Sequence, residues 1–241
     1  MNALLAALLL LQAAPAQSEA EKAEAAIKKF GVRKYKMLTQ GKEAGTMVLQ
    51  ARVETEGGAK VVVLHLKGDS TIEGKVDGGT IDEKTTLEGL RLLSVRTRTA
   101  DGKVDEGISI KDGQATVTPV DGEVKTVKVT GSTIGFAAMF LIACVQEQKA
   151  GSTFKVDILH FKDLQKDHEF RCVAKETIEI GGKKYDSFKW EQKGKGTIDL
   201  PDEDITYKIE NFWWISPDGY LLRMTTNEDG KVLNDMILDA K

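Results

Sequence analysis

The sequence predicts a mainly β protein, one antiparallel sheet accompanied by few helices, and three observations carry that prediction. Apolar residues recur at every second position after Val32, as in Met47, Leu49, Ala51 and Val53 and then Val62, Leu64 and Leu66. That is the period of a strand with one face buried. Glycine pairs punctuate the pattern at Gly57-Gly58, Asp77-Gly78, Asp101-Gly102, Asp112-Gly113, Asp121-Gly122 and Gly181-Gly182. Such pairs suit two-residue hairpin turns, whose central residues adopt positive φ. No long crossover segment separates these turns, so neighbouring strands are expected to run antiparallel.

The elements follow in order. Ala3 to Leu11 is an unbroken apolar run leading to Ala14-Pro15-Ala16. The run is shorter than the roughly 20 residues a bilayer span needs, and small residues occupy the positions a signal peptidase reads. Residues 1–16 are therefore expected to be a secretory signal, placing the mature chain in the periplasm or outside the cell with no membrane span. No Lys or Arg precedes the run, and no Cys follows it to carry a lipid anchor. Ser18 and Glu21 have capping-box spacing before Ala20, Ala23, Ile27 and Phe30, which predicts a helix over 19–30 ended by Gly31. Strands are expected over 32–129, where Leu93, Val95 and Thr97, then Val104, Ile108 and Ile110, then Ala115 and Val117 continue the alternation. From Phe136 to Val145 the chain is apolar on every side. A helix of that kind must be buried, so a core helix is predicted over 133–148. Strands resume over 153–239, with a polar loop at Pro201 and turns at Pro217-Asp218-Gly219 and Asp229-Gly230. No linker rich in Pro or Ser interrupts residues 17–241, so a single domain is expected.

Composition narrows the function. Hydrophobic residues at 41% and charged residues at 29% suit a globular chain, and the formal net charge of -3 comes from interspersed signs. Without a concentrated basic patch, nucleic acid is a poor partner. His65 and His160 fall in mid-strand as half-buried structural residues, and His168 beside Glu169 is expected to be solvated at a strand start. None has zinc-site spacing, so no metal and no cofactor are expected. Gly131-Ser132-Thr133-Ile134-Gly135 superficially matches a nucleophile elbow. Its central residue is Thr and it opens the apolar helix, so it reads as a helix cap. Asp202-Glu203-Asp204 reads as a solvated loop. No catalytic residue is therefore assigned. Cys144 and Cys172 stand in apolar contexts, either as a disulfide of an oxidising compartment or as two buried thiols.

Aromatic residues gather late in the chain, at Trp190, Phe212, Trp213, Trp214 and Tyr220. Neighbours on a strand face opposite ways, so Trp213 and Trp214 cannot share one core. Either both sheet faces are covered, or one ring lines a groove or meets a partner. The hairpin Phe212-Trp213-Trp214-Ile215-Ser216-Pro217-Asp218-Gly219-Tyr220-Leu221-Leu222-Arg223, with the opening segment Tyr35 to Gly45, resembles the LolA/LolB-type lipoprotein carriers and their exported relatives. That resemblance implies a half-barrel, a single curved sheet wrapped around a buried central helix with a concave apolar face. It assigns no lipid-binding residue to a position here. Alternation alone nominates Phe154, Val156, Ile158, Phe188, Trp190, Trp213 and Leu222 as a lining. The expected function is a soluble exported binding protein for a lipid or other apolar ligand. The alternative is an envelope scaffold that meets a partner protein and holds no small ligand.

Overall fold

The computed structural model describes residues 18–72, 75–120, 122–160, 163–199, 204–228 and 230–240. The expected signal at 1–16, the Asp202-Glu203 pair, and Asp121 and Asp229 of the expected turns lie outside them. The chain opens with helix α1 (Glu19–Phe30). Eight strands follow: β1 (Val32–Thr39), β2 (Lys42–Glu56), β3 (Ala59–Ile72), β4 (Lys75–Thr86), β5 (Leu92–Thr99), β6 (Val104–Lys111), β7 (Gln114–Pro119) and β8 (Lys125–Lys128). Then come β9 (Thr133–Gly135), helix α2 (Phe136–Ile142), β10 (Thr153–His160), β11 (Asp163–Ile180), β12 (Lys183–Asp199), β13 (Asp204–Ile215), β14 (Leu221–Glu228) and β15 (Lys231–Leu238).

All fifteen strands form one sheet in the order β8-β7-β6-β5-β4-β3-β2-β1-β15-β14-β13-β12-β11-β10-β9. Two meanders run outward from the centre, where β1 pairs antiparallel with β15, Tyr35 opposite Leu238 and Met37 opposite Met236. Chain length then dictates curvature. Laid flat at about 4.8 Å per strand, the outermost strands would stand roughly 67 Å apart. Yet β8 ends at Lys128 and β9 begins at Thr133, and the intervening residues reach at most about 18 Å. The sheet must curl until its two edges meet. A second apolar cluster marks the seam, joining Leu92, Ile108, Ala115 and Val117 of β5–β7 to Leu159 of β10.

The interior is a continuous core. It takes Leu49 and Ala51 from β2, Val62, Leu64 and Leu66 from β3, Val156 and Ile158 from β10, Phe170 from β11, and Trp190 and Trp213 from β12 and β13. Helix α1 adds Ile27 and Phe30, and α2 adds Ala137 to Ile142. The capping box forms as the spacing predicts: Ser18 Oγ accepts from Glu21 N, and Glu21 Oε2 accepts from Ser18 N.

Four expectations are corrected. The helix predicted over 133–148 covers only Phe136–Ile142, because Thr133–Gly135 pair with β10 as a strand. That pairing is parallel, with Ile134 opposite Ile158, so the sheet is antiparallel except at this edge. Asp77-Gly78 makes no turn; both lie inside β4, opposite Ser70 and Asp69. By contrast Asp112 and Gly113 turn β6 into β7 with φ of 51° and 73°, the two positive values such a turn requires. Leu93 and Val104 are exposed where the alternation places them inside, since Leu93 is the extra residue of a bulge in β5 and Asp105 that of a bulge in β6.

Candidate functional site

Alternation brings most of the nominated lining together, but as packed core. Phe154 stacks on Phe170 with ring centroids 4.8 Å apart and meets Trp190 at 5.6 Å. Val156, Ile158, Trp190 and Trp213 are buried in the same cluster, and Phe188 packs against it. Phe140 of α2 reaches Trp213 at 5.8 Å. Phe170, Trp190 and Trp213 are fully buried. Leu222 is not among them. Register along β13 and β14 passes from Trp214–Arg223 to Ile215–Leu221, which leaves Leu222 as the extra residue of a bulge. It therefore turns to the outer face with Trp214 and Ile180. That outer cluster explains the paired tryptophans: both faces are covered here, and Trp214 Nε1 donates to Glu176 while Lys189 and Arg223 sit over its ring. Cys144 and Cys172 are free, buried thiols, and burial pushes both thiol pKa values up.

One open groove adjoins the core at Met37 and Leu66. A groove of about 370 Å³ is lined by Met37, Leu66, Gly68, Gly79, Ile81 and Thr97, together with polar and charged residues including Thr80, Arg98, Thr99 and Asp105. Its volume falls in the range of small-molecule sites. Glycine makes the space: a Cβ on Gly68 would meet nothing within 4 Å. From Met37 a soft apolar row crosses the sheet through direct partners, Met37–Met236–Met224–Trp213–Trp190. Every methionine of the described residues belongs to this core or packs on it. Met fits irregular apolar shapes without a fixed rotamer, which suits a surface that must adapt.

Beside that row runs a second one of uncharged polar residues, Thr39–Asn234–Thr226–Asn211–Gln192, again direct cross-strand partners. It is solvent-exposed at Thr39 and Asn234 and buried at Asn211 and Gln192. At the buried end, Gln192 Oε1 accepts from Trp213 Nε1 at 3.2 Å and from Asn211 Nδ2 at 2.9 Å. Gln192 Nε2 then lies 3.0 Å from His168 Nδ1 and 3.9 Å from Met139 Sδ. An indole N–H only donates, so Trp213 fixes the amide orientation of Gln192. His168 Nδ1 must accept, and its proton sits on Nε2. His168 Nε2 and Asn211 Oδ1 are both buried and without a hydrogen-bond partner among the described residues. A group left in that state carries a penalty of about 1–3 kcal/mol.

His168 corrects the expectation of a solvated residue, for it is fully buried. A bulge does this. Val156 pairs with His168 and Ile158 with Gln165. Asp167 takes φ 56° between them, and its N–H donates to Asp157 Oδ1 at 3.0 Å. Burial lowers the imidazole pKa, and nearby Asp157 opposes this only in part. Gly194 makes room for the ring, since a Cβ there would lie 2.5 Å from His168 Nδ1. Sequence offers one signal for this network, polar residues at Gln192 and Asn211 on the parity of Trp190 and Trp213. Glu83 is a second buried polar group on an interior parity, after Ile81. Its carboxylate accepts from Ala137 N at 2.8 Å and Ala138 N at 3.1 Å. Burial raises its pKa to about 7 against the pull of those amides.

Among the described residues no three His, Cys, Asp or Glu side chains are grouped as metal ligands, and no helix is long and apolar enough to cross a membrane. No family model and no curated protein matches the chain. Solved structures do. A β-barrel-like protein of the domain of unknown function DUF1849 from Brucella abortus aligns with a TM-score of 0.53 at 10% identity, over 87% of this chain and 98% of that one. An exported-type protein with a YmcC-like fold from Bacteroides fragilis aligns at 0.42 with 13% identity over 86% and 93%. The hypothetical lipoprotein YmcC from Escherichia coli aligns at 0.34 with 14% identity over 87% and 86%. The Brucella likeness establishes the overall fold, a large curved β-sheet of barrel-like form.

Proposed function

We propose that this chain is a non-enzymatic, exported binding protein that holds a lipid or another apolar ligand against the inner face of its curved sheet, in the manner of LolA/LolB-like carriers. The carrying observation is the groove at Met37, Leu66, Gly68 and Ile81, whose Met37 is the first member of the Met–Trp row. Transfer of acyl surface from water into such a groove supplies about 25 cal/mol per Å². The nominated rings at Phe154, Phe188 and Trp190 line no part of that groove and belong with α2 to the packed core, so the ligand is taken up at the groove. The scaffold reading finds less support, because its natural handle, Trp214, is already buried and hydrogen-bonded to Glu176.

Gly68→Phe tests the reading. The position has ordinary backbone geometry and open space above its Cα, so the ring fills the groove with little strain. Displacement of a fluorescent acyl probe should weaken by at least about tenfold, with the melting temperature preserved. Unchanged probe affinity, or a native protein that takes up no probe, sinks the proposal.

A further inference from the structure

The groove at Met37 and Leu66 continues into a neighbour. Gly78, Thr99 and Asp105 line it and also line a second groove, of about 620 Å³. One row of direct cross-strand partners runs through both, Leu66–Ile81–Thr97–Glu106–Pro119. Leu66, Ile81 and Thr97 belong to the first groove, Glu106 and Pro119 to the second. The two are adjoining compartments of one trough along the face that carries Leu66.

Their chemistry differs. The first has Met37, Leu66 and Ile81 as its apolar side, which suits a hydrocarbon chain. Its one cation among the described residues, Arg98, donates to Gly102 O at 3.4 Å and lines no part of the second. The second sets Asp101, Asp105 and Glu106 against Lys103 alone, and Asp101 Oδ2 already holds Lys103 Nζ at 2.8 Å. A cleft lined mainly by one sign of charge concentrates the opposite ion. Asp105 stands at the junction of the two grooves. It is the extra residue of the bulge in β6, a device that re-aims a side chain, and its carbonyl accepts from Val120 N at 2.9 Å. Its carboxylate is exposed and has no hydrogen-bond or ion-pair partner among the described residues. Val104 and Val120 of the same groove are 42% and 58% exposed. A hydrated metal ion gains nothing from such apolar walls, whereas an organic ammonium covers them while it meets the carboxylate.

We infer that the second groove is the head-group compartment of the ligand site and that Asp105 receives an ammonium group there, so that the ligand is a single-chain amphiphile with a positively charged, nitrogen-bearing head. This rests on the apolar-ligand reading above and names the class of that ligand. The tail lies in the first groove against Met37, Leu66 and Ile81, and the head lies in the second. An anionic head in that place would face three carboxylates and one ammonium already engaged.

Competition against one fluorescent acyl probe separates the claims. Dodecyltrimethylammonium, dodecanol and dodecanoate share a chain and differ in the charge of the head. Below their micelle concentrations, at neutral pH and low salt, we expect the ammonium to compete at least about fivefold better than dodecanol and better still than dodecanoate, a charge pair in a half-solvated site being worth about that much. The preference should shrink as salt is raised. Asp105→Asn removes the receiving charge and Val104→Lys places an opposing one in the second groove. Both positions are exposed, and each variant should bring the ammonium within about twofold of dodecanol while the probe still binds. Equal competition by all three in the native protein overturns this inference and leaves the carrier reading intact. Preference for dodecanoate overturns it as well, and so does an ammonium preference that survives both variants. Failure of the probe and of all three compounds to bind defeats the carrier reading, and this inference with it.

Discussion

Glu83 brings a carboxylate into the core to hold the amides of Ala137 and Ala138. Its pKa rises from 4.5 to about 7 on folding, so between those values the native state binds more protons than the unfolded chain. Stability from this group is therefore greatest at acid pH and declines until about pH 7, by roughly 3 kcal/mol in all. His168 and His160, whose pKa values burial lowers, act in the opposite sense up to the ordinary histidine range. The clean observable is the difference between wild type and Glu83→Gln in urea denaturation. The variant should gain on wild type from pH 5 to about pH 7 and level off above it, and a flat difference throughout would show that folding does not raise the Glu83 pKa. Close to His168, Gly194→Ala should destabilise by about 1–3 kcal/mol, since the new Cβ would sit 2.5 Å from an imidazole that Gln192 holds in place. Gly68→Ala, with open space above it, should be close to neutral. Single residues were the least legible part of the sequence. Alternation placed Val156, Ile158, Trp190 and Trp213 on one face. It put Leu222 on the wrong one and left His168 in solvent, because each sits at a bulge that changes the parity and leaves no mark in composition.

Among the elements, α1 was readable to the residue because its signals are local: Ser18 and Glu21 cap it, and Ile27 and Phe30 repeat on one side. Those two kinds of residue differ in weight. Ser18→Ala removes an exposed cap and should lower stability by about 0.5–2 kcal/mol. Phe30→Ala empties a fully buried position and should lower it by about 3–5 kcal/mol. Urea titrations that rank them the other way would mean α1 is held by its cap and not by the core. The second helix misled for the converse reason. Residues 134–145 carry no polar side chain because β9 and α2 are both buried, and an unbroken apolar run carries no period to divide strand from helix. The turn expected at Asp77-Gly78 fails on similar grounds, for β3 and β4 simply continue past it.

At the scale of the whole molecule, the antiparallel meander was legible from the spacing of the glycine turns, but the pairing of β1 with β15 was not. Nothing local connects Tyr35 to Leu238; only closure of the curled sheet brings them together. Strand β15 is flanked by β14 and β1, so it belongs to the middle of the sheet. A chain ending at Gly230 should lose its cooperative melt by circular dichroism, and a sharp transition at the native temperature would show the halves to be independent.

That central placing of the last strand has a consequence for how the protein comes into being. Strand β15 leaves the ribosome after β1–β14, and until it does β1 lacks its second neighbour. The central pairing of the sheet is thus withheld until β15 is made, and its contacts join residues about 200 positions apart. Refolding in a stopped-flow experiment should accordingly fall in the millisecond-to-second regime of non-local β topologies.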